Sequence, residues 1–174
     1  MKELKDYIIS IPDFPTPGVM FRDVTSILDD PEGFQLSVEE LTRLLDGVEY
    51  DVIAGVESRG FIFGAPLAYR QGKAFVPVRK KGKLPRETVE RTYDLEYGTA
   101  TIEIHKDAVK PGQKVVIIDD LLATGGTIEA AAKLVEQLGG EVVKMIFLIE
   151  LTDLKARERL AGYDVASVVQ YEGK

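Results

Sequence analysis

The chain has 174 residues and a mass of 19.2 kDa, the size of one domain, and its 45% apolar and 29% charged composition is that of a soluble globule with a sizeable core. With no cysteine and one histidine, His105, disulfides, thiolate zinc sites, catalytic thiols and His-rich metal sites are excluded, and a net charge of −7 argues against nucleic acid as a partner. No apolar run approaches the ~18–20 residues of a membrane span, and MKELKDYIIS carries charges through its apolar stretch and no cleavage site; the expectation is a cytoplasmic protein.

In chain order, Ile11–Leu28 (IPDFPTPGVMFRDVTSIL) holds three of the eight prolines within six residues. Proline fixes φ and removes a donor, so this segment reads as a stiff loop rather than an element. Asp30-Pro31 then supplies an N-cap and a first helical residue, and Phe34, Val38, Leu41 and Leu45 recur with helical spacing. Short, nearly continuous apolar runs follow at Asp51–Val56, Ala74–Val78, Lys114–Ile118, Val142–Ile149 and Val165–Val169, as expected of strands buried on both faces. Between the second and third lies Arg79–His105, too long for a tight connection. Its latter half alternates (Tyr93 and Leu95, then Ile102 and Ile104) about Gly98, predicting an antiparallel hairpin that stands off the parallel sheet where a lid would sit. A helical stripe of Ile128, Ala131, Ala132, Val135 and Leu138 ends at Gly139-Gly140. The alternation predicts a single α/β domain with a central parallel sheet flanked by helices.

The most informative stretch is Val115–Thr127, VVIIDDLLATGGT: a strand, two acids, a small-residue turn and a helix starting near Thr127. Open α/β sheets bind ligands at the carboxyl ends of their strands, where this turn lies. The backbone N–H groups of Ala123, Thr124, Gly125, Gly126 and Thr127 can converge on a phosphate at a helix N-terminus, with two threonine hydroxyls as further donors. A side chain in place of Gly125 is expected to fill this cradle. Asp119 and Asp120 repel phosphate, so their presence points to a ligand that also offers hydroxyls, such as a ribose. Neither G-x-x-x-x-G-K-[ST] nor G-x-G-x-x-G occurs, which excludes the P-loop and the dinucleotide fingerprint.

Other segments are ambiguous in isolation. In Val56–Phe61, VESRGF, Ser58 and Arg59 follow a buried strand and are placed to hold a second anion; the alternative is an arginine paired with Glu57. RKKGKLPR, Arg79–Arg86, carries five positive charges and no acid: either a solvated face or a cover for an anion, with Lys80 and Lys83 as contacts and Lys81 and Arg86 facing water. Glu96 and Tyr97, in DLEYG, are a polar pair at a turn unless the hairpin closes over a ligand. The loop Val19–Asp23 is stiff enough for its backbone to read the edge of a base, whereas Phe21 reads as a core residue.

Taken together and in order, FPTPGVMFRD, ESRGF, RKKGKLPRET, DLEYG and DDLLATGGT resemble the type I phosphoribosyltransferases, and within them the adenine-specific branch, from about Ile11 to about Leu151. The resemblance implies a type I fold with an N-terminal hood (about 11–28) and a flexible lid (about 79–105). It implies transfer of the phosphoribosyl group of phosphoribosyl pyrophosphate to adenine, giving AMP and pyrophosphate. It also implies Mg²⁺ held through ligand oxygens and water rather than a protein cage, and a homodimer. By the same resemblance Ser58 and Arg59 hold pyrophosphate on a loop that often contains a non-proline cis peptide, at Glu57–Ser58 or Ser58–Arg59. Glu96 acts as acid/base on the purine with Tyr97 assisting. The main chain at Met20 and Arg22 reads adenine, with Leu121 on the purine face. Relatives using hypoxanthine or guanine carry an aspartate where this chain has Ala123, which leaves Glu96 as the base-facing acid. The alternatives are a transferase for hypoxanthine or xanthine, and a regulator that senses the sugar phosphate; the charge and length leave little room for the latter's nucleic-acid module.

Overall fold

The structure, a computed structural model, describes residues 1–173. A 3-10 turn (Leu4–Tyr7) leads into β1 (Ile9–Pro12), which pairs antiparallel with β2 (Met20–Asp23) in the register Ile9↔Asp23 to Pro12↔Met20. The segment expected to be a loop therefore contains a strand, and also a short helix, α1 (Thr25–Leu28). The reason is local: two of the three prolines fall in the connection between β1 and β2, and the third ends β1, so Met20–Asp23 keeps all its donors for pairing. Phe14–Pro15 is cis, and Asp13 Oδ1 closes the turn by accepting from Gly18 N at 2.8 Å. Phe21, expected in the core, instead lies half-buried with its ring edge-on to Phe14, centroids 5.1 Å apart.

The helix α2 (Pro31–Leu44) starts as its sequence requires, with Asp30 accepting from the amides of Glu32 and Gly33 and Pro31 in its first turn. The chain continues through β3 (Val52–Val56), α3 (Arg59–Gln71), β4 (Ala74–Lys80), β5 (Thr88–Asp94), β6 (Thr99–His105), β7 (Lys114–Leu122), α4 (Gly126–Gln137), β8 (Glu141–Leu151), α5 (Ala156–Arg159) and β9 (Val165–Tyr171). The main sheet has seven strands in the order β5-β6-β4-β3-β7-β8-β9. β4, β3, β7, β8 and β9 run parallel, each pairing in parallel with its neighbour.

The hairpin of β5 and β6 does not stand off this sheet. β6 joins it antiparallel, with Arg79↔Glu103 and Lys80↔Ile102, because β6 turns Ile102 and Ile104 into the core and β4 runs far enough to offer it backbone partners. β7 also runs four residues past the predicted end at Ile118, so that both acids are strand residues. The extension is held by β8, which continues alongside to pair Asp119 with Phe147 and Leu122 with Glu150.

Two cores flank the sheet. Leu134 of α4 packs with Ala54, Val78, Ile117 and Phe147 of the sheet, and on the other face Leu41 of α2 and Phe63 and Leu67 of α3 pack with Ile53, Ile118 and Leu148. α3 approaches the sheet closely because Gly55 and Gly64 leave room for Phe75, whose ring lies 2.7 Å from where a Cβ would stand at either. The helix after β3 carries the chain toward β4, whereas the helix after β7 carries it the other way, to β8. β3 and β7 are therefore the topological switch point, the crevice where open α/β sheets take their ligands.

Candidate active site

Both loops at that crevice are shaped for anions. After β7, Ala123 and Thr124 lead to Gly125 at φ +88°, ψ 0°, which is the N-cap of α4. No side chain caps this helix, so the amides of its first turn remain available to a ligand, at the positive end of the helix dipole. Asp119 and the residues from Leu121 to Ile128 line a hollow of about 100 Å³ over this turn. A larger hollow of about 600 Å³, between the N-terminal 3-10 turn, α2 and β9, shares no residue with it and gathers no catalytic set. A Cβ on Gly125 would stand 3.3 Å from the Ala156 Cβ and 3.5 Å from Leu160 Cγ. It would point at α5 and not into the hollow, so the expected filling of the cradle does not occur; what glycine supplies at 125 is the positive φ.

After β3 the chain passes through a cis peptide, Glu57–Ser58, and enters α3 at Arg59. Ser58 is exposed at this N-terminus. α3 presses against β7: a Cβ on Gly60 would lie 3.0 Å from Asp119 Oδ1 and 3.2 Å from Ile118 O. Arg59 does not pair with Glu57. Its Nε lies 2.8 Å from Asp120 Oδ2, bridging the crevice from α3 to β7. Glu57 instead accepts from Arg79 Nε at 3.2 Å and from the Lys80 amide at 2.7 Å, pinning the start of the basic segment.

The two acids differ. Asp120 is 3% exposed, and its Oδ2 has no aligned hydrogen-bond donor despite the nearby guanidinium. Asp119 Oδ1 accepts from the Asp120 amide at 2.8 Å. Burial, with the charge of Asp120 beside it, pushes the Asp119 carboxyl well above the usual carboxylate range. Two adjacent carboxylates, one of them facing a guanidinium, are an acceptor-rich edge that hydroxyl donors would complete.

In the basic segment, Lys81 pairs with Glu90 at 3.2 Å and Arg86 with Asp107 at 3.1 Å, so neither simply faces water. Lys80 and Lys83, both exposed, form no ion pair among the described residues. The segment is braced from below by two buried side chains of β6. Glu103 accepts from Gly82 N and His105 Nε2 accepts from Arg86 N, each at 3.3 Å.

Asp119, Asp120, Arg59 and the 123–127 turn are thus gathered at the crevice. Leu121 and Ala123, on the same stretch, are half-buried. Glu96 and Tyr97 are not gathered there. They sit in the turn between β5 and β6, with Tyr97 87% exposed. Met20 is exposed on β2, and the Arg22 guanidinium is engaged elsewhere, 4.0 Å over the Tyr171 ring, while both residues pair with β1. Two neighbours of the cradle escape the sequence reading: Tyr93, bonded to Thr127, and Arg159, whose Nη1 lies 2.7 Å from where a Cβ would stand on Gly126. Tyr93 carried a signal, being three residues before Glu96 in the alternating strand; Arg159 lies in a stretch with no motif.

A family model for the phosphoribosyl transferase domain matches residues 24–171. The chain belongs to the phosphoribosyltransferase family. An adenine phosphoribosyltransferase of Butyrivibrio fibrisolvens is 71% identical over 174 residues, covering 100% of this chain and 96% of its own. The crystal structure of adenine phosphoribosyltransferase from Thermoanaerobacter pseudethanolicus superposes with a TM-score of 0.93 at 58% identity, covering 97% of this chain and 98% of its own. That of Saccharomyces cerevisiae, complexed with an imino-altritol bisphosphate and adenine, gives 0.89 at 41% identity over 95% of this chain and 96% of its own. This phosphoribosyltransferase has no helix, among its described residues, long and apolar enough to cross a membrane.

Proposed function

We propose that this chain transfers the 5-phosphoribosyl group of phosphoribosyl pyrophosphate to adenine, releasing pyrophosphate and forming AMP in purine salvage. The observation that carries the reading is the crevice between β3 and β7. There an acidic strand end runs directly into an uncapped helix N-terminus, with an arginine-bearing loop facing it. A ligand that is phosphate at one end, diol in the middle and pyrophosphate beyond matches that order of groups. Full-length relatives at 54–71% identity bearing the adenine phosphoribosyltransferase name support adenine as the base.

In this reading the amides of Ala123 to Thr127 and the hydroxyls of Thr124 and Thr127 hold the 5′-phosphate. Asp119 and Asp120 accept from the ribose hydroxyls. Ser58, Arg59, Lys80 and Lys83 receive the pyrophosphate. C1′ gains oxocarbenium character as the pyrophosphate leaves, and a purine ring nitrogen attacks from the opposite face, releasing its proton. Glu96 is the acceptor for that proton, with Tyr97 beside it. Met20 and Arg22 present main-chain groups to the base edge, and Leu121 lies against its face. With β5 and β6 held in the sheet, closure is confined to the exposed connections at 81–87 and 95–98, which bring Lys83 and Glu96 over the ligand beside Lys80 and keep water from the sugar cation.

The carboxylate oxygens at the crevice suit magnesium held through water, since Asp120 Oδ2 is buried without an aligned donor although Arg59 Nε lies 2.8 Å from it. Asp119 and Asp120 would face it through water, and when bound it neutralises charge on the leaving pyrophosphate. The reading extends to a cytoplasmic homodimer: α3 exposes Ile62, Ala65 and Tyr69 along one side, with Tyr69 91% exposed, an apolar stripe suited to a second copy.

The test is pyrophosphate release with magnesium and sugar donor, offered adenine, hypoxanthine, guanine, xanthine and orotate in parallel. Turnover confined to adenine is expected. Preference for an oxo-purine overturns the base assignment, and ligand binding without turnover on any base favours the regulator.

A further inference from the structure

Tyr93 stands on β5, three residues before Glu96, and reaches across to the phosphate cradle. Its hydroxyl lies 2.9 Å from Thr127 Oγ1, and its ring passes 3.9 Å from where a Cβ would stand on Gly126. The ring is half-buried against the core under α4, which fixes its orientation, and the Thr92 and Thr101 hydroxyls, 2.8 Å apart, hold the two hairpin strands together beside it. β5 packs along α4, so strand and helix meet as rigid elements with this bond between them.

Either hydroxyl can donate in a Tyr–Thr pair, and the two choices have opposite consequences for an anion. If Thr127 donates to Tyr93, its only proton is spent and it turns lone pairs toward the cradle. If Tyr93 donates, Thr127 keeps its proton for a phosphate oxygen, and the accepted bond polarises that proton further. We infer that Tyr93 is a positioning residue: its hydroxyl donates to Thr127, aims the threonine proton at the 5′-phosphate, and ties the strand that leads to Glu96 and Tyr97 to the cradle. Occupancy of the cradle and placement of the hairpin tip are thereby linked through one bond. This rests on the cradle being the 5′-phosphate site.

The test measures binding of AMP, ribose 5-phosphate and pyrophosphate to the full chain by calorimetry, for the wild type, Tyr93→Phe, Thr127→Val and the double variant. Removing one neutral hydrogen bond is expected to weaken AMP and ribose 5-phosphate about three- to tenfold each. Pyrophosphate affinity should stay at the wild-type value, a selectivity that loss of folding would not produce. The double variant should bind AMP no more weakly than Thr127→Val alone, since the tyrosine acts through the threonine. Tyr93→Phe binding all three ligands as the wild type does, weakening pyrophosphate equally, or adding its full effect to Thr127→Val would overturn the inference alone. A wild type that binds neither AMP nor ribose 5-phosphate would overturn the functional reading and this inference with it.

Discussion

Replacing Gly125 by alanine separates the conformational demand of the cradle from its space. At φ +88° an L-residue is strained by roughly 1–2 kcal/mol, and the new Cβ meets Ala156 Cβ at 3.3 Å, a contact that α5 can relax. Stiffening the unfolded chain returns about 0.4–1 kcal/mol, so the net loss is on the order of 1 kcal/mol, or about 2–4 °C in Tm for a chain of this length. The larger effect is on the ligand. To relieve the strain the 124–126 backbone rotates, turning at least one amide away from the phosphate, and a hydrogen bond to a charged group is worth about 1.5–3 kcal/mol, tenfold or more in affinity. In thermal unfolding with AMP at 100 times its wild-type Kd, the wild type should gain about 2.7 kcal/mol and the variant about half of that. Gly112→Ala is the control. Gly112 has φ +85° with nothing within 4 Å of its Cβ position and lies before β7, at the end of the strand away from the cradle. It should show a comparable loss of stability with the full AMP gain. A Gly125→Ala protein that keeps the full gain would refute the backbone-donor account of the cradle.

Three further substitutions test other parts of the site and its support. Asp119→Asn should raise the stability of the ligand-free protein at neutral pH while weakening AMP. The folded chain holds the Asp119 proton to higher pH than the unfolded chain, so wild-type stability falls as pH rises above the ordinary carboxylate range, and the variant should lose that slope in pH-dependent melting. Glu96→Gln should lower kcat at least tenfold with little change in the KM for adenine; equal loss in both would make Glu96 a binding group. Arg157→Ala removes the fork that holds the buried Glu150 through bonds of 2.8 and 2.9 Å, and should cost about 2 kcal/mol near neutrality. Arg157 and Ser167 hold the Glu150 carboxyl below its usual value of 4.5, so this contribution is present above that pH and is lost as pH falls below it. The two melting curves should therefore converge in acid.

The parallel core was legible because strands buried on both faces leave continuous apolar runs, and Lys114–Ile118 or Val142–Ile149 could hardly be anything else. α3 was not: Gly60, Gly64 and Pro66 dilute its stripe, and those glycines are there for contact with Asp119, Phe75 and Ile118 rather than for helix propensity. The β1–β2 pairing was hidden by prolines that interrupt the connection and spare the second strand. In the site, the Asp-Asp and Thr-Gly-Gly-Thr run was readable because strand, turn and helix are contiguous in the chain. The partner of Arg59 was not, since Asp120 lies on another strand and the nearer acid, Glu57, is engaged by Arg79. Tyr93 and Arg159 reach the cradle only through tertiary packing: the alternating strand marks Tyr93 as a hairpin residue without pointing to Thr127, and no local pattern marks Arg159.

The most direct test is a crystal structure of the full chain grown with AMP. The phosphate should rest on the amides of residues 124–127, with the ribose hydroxyls facing Asp119 and Asp120 and the base toward the β2 segment. A nucleotide bound elsewhere, or one lying in the crevice with its phosphate against Arg59 and its base over Thr124–Thr127, would contradict the account.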